Sequence, residues 1–317
     1  MKISNMNVPG IDTSFITEFP NRVSDRLYCR DPFIMPAGDD YFLYRSAGER
    51  GVEVLVSRDL ENWSDPIPVY KKPDGHPGVK DFFWAPECHY YKGAFYLFTS
   101  VFNREINHRS ISVYRAESPL GPFTDIAGYC VSPREWDCID GTLYVDGDGQ
   151  PWLVFVHEWT CMPDNVGAMV TAKLSDDLSH LISEPVQLFL ANEPAWTDHG
   201  VTDGPFIGIT DSGRMIMTWS NFIPETPYGY AVGVAFSQTG LITGPWIQQD
   251  KEIYSRGQRP EYVYDGGHAM MFYGHDGTLY MTFHTPNEAV ETYEHVAFMK
   301  VTEKNDTVEL EPYKIIK

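Results

Sequence analysis

The chain has 317 residues, of which 14% are aromatic and 21% are charged, and its formal net charge is −20. This acidic excess argues against nucleic acids and anionic membranes as partners, because their phosphates would be repelled, whereas neutral ligands remain open. No apolar run approaches the roughly 20 residues of a membrane span, and the first ten residues lack the apolar core of a signal peptide.

Five cysteines, at positions 29, 88, 130, 138 and 161, form an odd set without the spacing of a metal site. Such a set is more typical of buried free thiols than of a disulfide framework. Together with the missing signal peptide, it predicts a cytoplasmic protein, or a periplasmic or secreted one if a signal peptide has been removed. The sequence predicts nothing about the oligomeric state.

One pattern is repeated five times along the chain: a first strand, a turn, an apolar second strand and a third strand. The first strands begin near residues 31, 85, 140, 203 and 266, at spacings of 54, 55, 63 and 63 residues. The second strands read YFLYRS, FYLFTS, PWLVFV, MIMTWS and LYMTFH. Turn sequences such as Asp148-Gly149 and Asp276-Gly277 separate the two strands, and no segment has a sustained helical period.

Five units of three or four short antiparallel strands are typical of a radial all-β architecture. We therefore predict an all-β, five-bladed β-propeller that forms a single domain over residues 1–317, with residues 1–29 as a lead-in or closure segment. The repeat is longer than the roughly 40 to 50 residues of common propeller repeats. We attribute the extra length to loops on the binding face.

An acidic residue recurs at one phase of this repeat. The first position of the aligned strands holds Asp31, Ala85, Asp140, Asp203 and Gly266, and the third holds Phe33, Glu87, Thr142, Pro205 and His268. In a propeller the innermost strands all start at the same end of the central channel, so equivalent positions form a ring. Buried acids are costly unless they are paired or used, and we therefore predict that the three aspartates are functional.

The order of the blades predicts how the three aspartates differ. Blades 3 and 4 are neighbours, so Asp140 and Asp203 should lie close together, and one of them should stay protonated near neutral pH. Asp31 is separated from each of them by one blade and should stay ionised. A protonated acid and an ionised base with room for a water between them form the arrangement of an inverting glycosidase.

At these residues the sequence resembles glycoside hydrolase family 43, inverting five-bladed propeller enzymes that act mainly on α-L-arabinofuranosides and β-D-xylosides. The resemblance is carried, in this order, by RDPFI, FWAPECHYYKGAFYLFTS, IDGTLYVDGDGQPWLVF, DGPFI and GGHAMMF. It implies Asp31 as the general base, Asp140 as the residue that orients the acid and tunes its pKa, and Asp203 as the general acid. It implies plant polysaccharides or their oligosaccharides as the substrate.

The sequence departs from the family at the acid. The family acid is typically a glutamate in an EGP sequence, whereas Asp203 stands in DGP and is shorter by one carbon, about 1.5 Å. Glu158 and Glu87 are alternatives for this role. For each of them, a role as a substrate hydrogen-bond partner or a local ion-pair partner is the more typical one.

Several other side chains are predicted to line the channel entrance. Trp84, its neighbour Phe83, and Trp159 are candidates for stacking on sugar rings, with core packing as the alternative. For His268, the resemblance implies a calcium ion or an ordered water network in the central channel, held for electrostatic and structural reasons. The chemistry itself requires no cofactor.

Two other functions are compatible with parts of the sequence. Five-bladed fructan hydrolases share the Arg-Asp-Pro and Glu-Cys signatures found at residues 30–32 and 87–88, but nothing in residues 1–29 supplies their upstream Asn-Asp-Pro nucleophile. A carbohydrate-binding propeller that has lost catalysis stays open because of the aspartate at position 203. The sequence names neither the sugar nor an exo or endo mode of action.

Overall fold

Five antiparallel sheets make up the protein in a computed structural model that describes residues 1–78, 83–224, 229–287 and 293–314. The short strand β1 (Lys2–Ile3) comes first. Blade 1 contains β2 (Asn21–Arg22), β3 (Phe33–Ala37), β4 (Asp40–Ser46), β5 (Gly51–Ser57), β6 (Asn62–Trp63) and β7 (Ile67–Lys71). Blade 2 contains β8 (Trp84–Tyr91), β9 (Ala94–Asn103), β10 (His108–Ala116) and β11 (Thr124–Asp125).

The other three blades contain four strands each from their own part of the chain. Blade 3 contains β12 (Cys138–Val145), β13 (Pro151–His157), β14 (Ala168–Lys173) and β15 (Val186–Leu190). Blade 4 contains β16 (Asp203–Ile209), β17 (Met215–Phe222), β18 (Tyr230–Ser237) and β19 (Trp246–Gln248). Blade 5 contains β20 (Gly267–Tyr273), β21 (Leu279–Thr285), β22 (His295–Lys304) and β23 (Thr307–Lys314).

This architecture confirms the predicted all-β five-bladed propeller. The first strands β3, β8, β12, β16 and β20 contact one another between neighbouring blades, so they form the innermost ring. They begin within two residues of the predicted positions. The second strands are almost entirely buried, as in β17, because neighbouring blades cover both of their faces. In the described part of the chain, no helix is long and apolar enough to cross a membrane.

Residues 1–8 lie across the end of the channel where the innermost strands finish. β1 pairs with β16, with Lys2 opposite Ile209. The side chain of Asn5 donates to the carbonyl of Cys88 in blade 2 and accepts the backbone N–H of Tyr90. The segment therefore connects several blades, as expected of a closure segment. A cavity of about 260 Å³ separates it from blades 1 and 5, away from the candidate catalytic residues.

Blades 5 and 1 meet without sharing a continuous sheet. The backbone N–H of Cys29 donates to the carbonyl of Glu294, and Tyr28 forms an isolated bridge with His295. The guanidinium of Arg30 lies 2.6 Å from a carboxylate oxygen of Glu294. These contacts hold the start of blade 1 against blade 5, and they set the position of the residue that follows Arg30.

Candidate active site

A β-bulge recurs where the innermost strands begin. In blades 2 to 5 the register with the second strand shifts at this point, so that extra residues bulge from the first strand. The residues with positive φ here are Asp31 (49°), Ala85 (41°), Asp140 (55°), Gly204 (52°) and His268 (56°). Such a backbone conformation is uncommon for residues other than glycine, and bulges re-aim side chains next to functional sites.

The bulge corrects the alignment of the repeats. Gly204, and not Asp203, occupies the position equivalent to Asp31 and Asp140, and Asp203 lies one residue earlier, opposite Ser220. His268 occupies the first position of the ring rather than the third. The sequence predicted that Asp140 and Asp203 are equivalent because each is followed by a glycine. The prediction was wrong because equivalence depends on the bulge, which is a property of the backbone.

Asp31, Asp140 and His268 form a compact cluster at the entrance. The Nδ1 atom of His268 lies 3.3 Å from Oδ1 of Asp31 and 3.7 Å from Oδ2 of Asp140. Burial alone would lower the pKa of His268, but the surrounding carboxyl groups, Asp31 first, raise it. A Cβ atom on Gly204 would lie only 2.9 Å from Cγ of His268, so a glycine is needed beside this imidazole.

Asp31 is surrounded by groups that favour its ionised form. Nδ1 of His284 lies 3.3 Å from Oδ1 of Asp31, and Nε of Arg30 lies 3.9 Å from Oδ2. Burial opposes ionisation, yet His268, His284 and Arg30 together hold the pKa of Asp31 well below its usual range. The side chain keeps 17% exposure. Asp31 is therefore an accessible, ionised carboxylate at neutral pH, as predicted.

Asp140 and Asp203 lie in neighbouring blades and have raised pKa values. Burial raises the pKa of Asp140, with His268 opposing the effect. Burial raises the pKa of Asp203 well above its usual range, and the neighbouring Asp140 carboxyl raises it further. The backbone N–H of Gly204 donates to Oδ2 of Asp140 at 3.0 Å, and the hydroxyl of Tyr230 donates to Oδ2 of Asp203 at 3.0 Å. Asp203 is thus the carboxyl group best placed to hold a proton.

Glu158 and Glu87 are both buried, and both have local partners. Oε2 of Glu158 lies 3.2 Å from Nε of Arg109. Burial raises the pKa of Glu158, and Arg109 opposes this. Oε2 of Glu87 lies 2.9 Å from Nε2 of His89. Glu158 thus forms a local ion pair with Arg109 and Glu87 a local contact with His89, so Asp203 is the stronger candidate for the acid.

The three candidate stacking residues differ in exposure. Phe83 is 1% exposed and packs edge-on against Tyr70 and His76, so it is a core residue, and a role in stacking on a sugar does not fit it. Trp84 is half-buried, and the Arg109 guanidinium covers one face of its ring at 3.7 Å. Trp159 is also half-buried and follows Glu158 directly. Trp84 and Trp159 keep their predicted role as candidates.

The calcium site expected at His268 stays a prediction. Nδ1 of this histidine faces two carboxyl groups as an ion-pair donor. Among the residues that the structure describes, no group of three or more His, Cys, Asp or Glu side chains could hold a metal ion. The arrangement therefore does not fit direct coordination of a cation by Nδ1 of His268.

Sequence reasoning missed the supporting histidine and the serines around the ring. The backbone N–H groups of three of the positive-φ residues donate to side chains near the end of the second strand of the preceding blade: Asp31 to His284 (3.2 Å), Asp140 to Ser100 (2.9 Å) and His268 to Ser220 (2.8 Å). The signal was present, because these acceptors end the repeated strands LYMTFH, FYLFTS and MIMTWS. No comparable signal marks Tyr230.

Comparisons with known proteins identify the family of the whole chain. The family model described as glycosyl hydrolases family 43 matches residues 23–307. The solved structure of an endo-arabinase from Bacteroides thetaiotaomicron VPI-5482 is 34% identical, has a TM-score of 0.80, and the match covers 91% of this chain and 99% of that one.

Two curated relatives are similar over shorter segments. The extracellular exo-α-(1→5)-L-arabinofuranosidase ArbA of Cellvibrio japonicus (strain Ueda107) is 31% identical over 47% of this chain and 44% of its own length. The extracellular endo-α-(1→5)-L-arabinanase 1 of Bacillus subtilis (strain 168) is 29% identical over 41% of this chain and 43% of its own length. The chain thus spans less than half the length of these two relatives.

Proposed function

Because the chain belongs to glycosyl hydrolases family 43, we propose that it is an inverting glycosidase that cleaves α-L-arabinofuranosyl linkages in plant polysaccharides or their oligosaccharides. The observation that carries the proposal is the contrast between two carboxyl groups at one channel entrance. The pKa of Asp31 is held low, and that of Asp203 is held high. One base and one acid at neutral pH are what glycoside hydrolysis requires.

In the proposed reaction, Asp31 accepts a proton from a water molecule as the water attacks the anomeric carbon. Asp203 donates its proton to the glycosidic oxygen as the bond to the leaving group breaks. The configuration inverts because the water attacks the face of the sugar opposite to the leaving group. Asp140 supports Asp203, since its charge raises the pKa of the Asp203 carboxyl and keeps it protonated.

Arabinofuranosides are favoured over β-D-xylosides as the substrate by the names of the similar proteins. The match to the endo-arabinase covers 99% of that protein at 34% identity, and it supports an arabinan-type substrate. The exo-acting and endo-acting relatives have comparable identity, so they do not favour either mode. Both relatives are named as extracellular enzymes, which favours the secreted alternative over a cytoplasmic location.

The test is turnover by the wild-type protein of 4-nitrophenyl α-L-arabinofuranoside, 4-nitrophenyl β-D-xyloside and linear α-1,5-arabinan. We expect hydrolysis of the arabinosyl substrates, and ¹H NMR should detect the inverted anomer as the first product. Hydrolysis confined to the xyloside would move the proposal to xylan, and a first product with retained configuration would contradict the mechanism. Arabinan binding without turnover would identify a carbohydrate-binding propeller that has lost catalysis.

A further inference from the structure

A buried carboxyl group outside the proposed chemistry lies behind the channel entrance. Asp265 is 1% exposed and precedes the first strand of blade 5. Its Oδ2 accepts the backbone N–H of Tyr230, and its Oδ1 accepts the backbone N–H of Asn287, each at 3.1 Å. The hydroxyl of Thr285 donates to its backbone carbonyl at 2.7 Å. Asp265 therefore joins the start of β18 in blade 4 to the residues that follow β21 in blade 5.

The first of these segments leads to the proposed acid. The backbone N–H of Tyr230 donates to Asp265, and the carbonyl of Tyr230 accepts the N–H of Gly266 at 3.1 Å. The hydroxyl of Tyr230 donates to Oδ2 of Asp203 at 3.0 Å. A Cβ atom on Gly267 would lie 2.5 Å from Cε1 of Tyr230, so the ring packs directly against backbone there. The position of the hydroxyl that holds Asp203 thus depends on the backbone that Asp265 anchors.

The second segment leads to the proposed base. Oδ1 of Asn287 lies 3.1 Å from Nε2 of His284. Nδ1 of His284 lies 3.2 Å from the backbone N and 3.3 Å from Oδ1 of Asp31. His284 is fully buried, and its ring stacks on that of Tyr230 with centroids 5.6 Å apart. Both ring nitrogens of His284 are therefore engaged, one through the residue that Asp265 holds.

We propose that Asp265 is a positioning residue that sets the acid and the base relative to each other, through Tyr230 on one side and Asn287 with His284 on the other. The inference rests on the proposed function, in which Asp203 and Asp31 carry the chemistry. A carboxyl group suits this role because its two oxygens accept two backbone N–H groups that come from different blades. Asparagine offers one such oxygen, and its NH₂ group would face the other N–H.

The test compares Asp265→Asn with Asp146→Asn. Asp146 is a matched control, because one of its oxygens accepts the backbone N–H groups of Asp148 and Gln150 at 3.0 Å each, in the first hairpin of blade 3. We expect Asp265→Asn to lower kcat by about 10- to 100-fold with little change in KM, since small misplacements of reacting groups have effects of this size. The control should keep wild-type kcat.

Two readouts separate positioning from general destabilisation. In Asp265→Asn, the loss of kcat should be larger on arabinan than on a dinitrophenyl arabinofuranoside, because the acid is displaced, and the ¹⁵N shifts of the His284 ring should move. The control should change neither readout. Wild-type kcat in folded Asp265→Asn, a loss confined to KM, or an equal loss in the control would each overturn the proposal.

The His284 resonances also distinguish this proposal from the proposed function. If the wild-type protein hydrolyses no glycoside, the proposed function fails, while unchanged His284 shifts in Asp265→Asn would overturn the positioning role by themselves. If Asp265→Asn does not fold, the double variant Tyr230→Phe with Asn287→Ala removes both side-chain connections and leaves Asp265 in place. We expect it to reproduce the loss of kcat, and wild-type kcat in it would overturn the proposal.

Discussion

Asp31 and Asp203 have the same side chain at two sides of one channel entrance, yet their surroundings differ in charge. On the Asp31 side, the neighbours are His268, His284 and the guanidinium of Arg30. On the Asp203 side, the carboxyl group accepts a hydrogen bond from an uncharged hydroxyl and lies near another carboxyl group. Burial raises the pKa of both, but on the Asp31 side His268, His284 and Arg30 outweigh burial and lower the pKa.

The difference teaches how the fold assigns roles to identical groups. Blade 5 contributes both His268 and His284, and it lies next to blade 1, where Asp31 begins the innermost strand. Blade 4 also adjoins blade 5, but Gly204 rather than an acid occupies its bulge, so Asp203 is displaced from the ring position. Four predictions test this contrast between the base side and the acid side.

Replacing Asp31 should have the largest effect. Asp31→Asn removes the ionised carboxylate and should lower kcat by about 10²- to 10⁴-fold, the contribution of a general base. The loss should be the same for arabinan and for a dinitrophenyl arabinofuranoside, because activation of water is needed with either leaving group. Steady-state kinetics on both substrates checks this, and a loss that depended on the leaving group would contradict the assignment of the base.

Replacing Asp203 should have a smaller average effect and one that depends on the substrate. Asp203→Asn should lower kcat on arabinan by about 10²- to 10⁴-fold, since a poor leaving group needs a proton. The dinitrophenyl substrate, whose leaving group departs without help, should retain a much larger share of its rate. Equal losses on the two substrates would mean that Asp203 only holds the sugar.

Replacing Tyr230 should alter the pH dependence on the acid side alone. Activity requires ionised Asp31 and protonated Asp203, so Asp203 sets the basic limb of the pH profile. Burial and the charges of Asp140 and Asp31 raise the pKa of Asp203, whereas His268 and the hydrogen bond from the Tyr230 hydroxyl lower it. Tyr230→Phe should therefore move the basic limb of kcat to higher pH and leave the acidic limb in place. A shift of the basic limb to lower pH would contradict this account.

Replacing Glu158 should have the smallest effect on kcat. Its carboxylate lies in an ion pair with Arg109, so Glu158→Gln should change kcat far less than the roughly 10²-fold expected for loss of a proton donor. The leaving-group dependence should match that of the wild-type protein in the same pair of assays. A selective loss on arabinan in Glu158→Gln would transfer the role of the acid from Asp203 to Glu158.

The sequence by itself determined the number of blades, the approximate start of every innermost strand and the three aspartates at the entrance. These features are local, because turns and short apolar strands can be recognised from a few consecutive residues and recur with each repeat. Blade order also predicted an ionised Asp31, but on the ground that it stands apart from Asp140, whereas in the structure the two carboxyl groups share His268 and the neighbouring histidines and Arg30 lower the pKa of Asp31.

Only the tertiary structure decided which residues are equivalent and which surround them. A bulge shifts the register of the backbone and leaves no mark in the amino-acid sequence. Gly204 and His268 therefore occupy the first ring position in their blades, and Asp203 does not. The contacts that set the two protonation states join residues far apart in sequence, such as Asp31 with His284, 253 positions away. Burial also depends on contacts between residues far apart in sequence. Phe83 and Trp84 are sequence neighbours, but only Phe83 is enclosed, because the packing of whole blades determines which side chains solvent reaches.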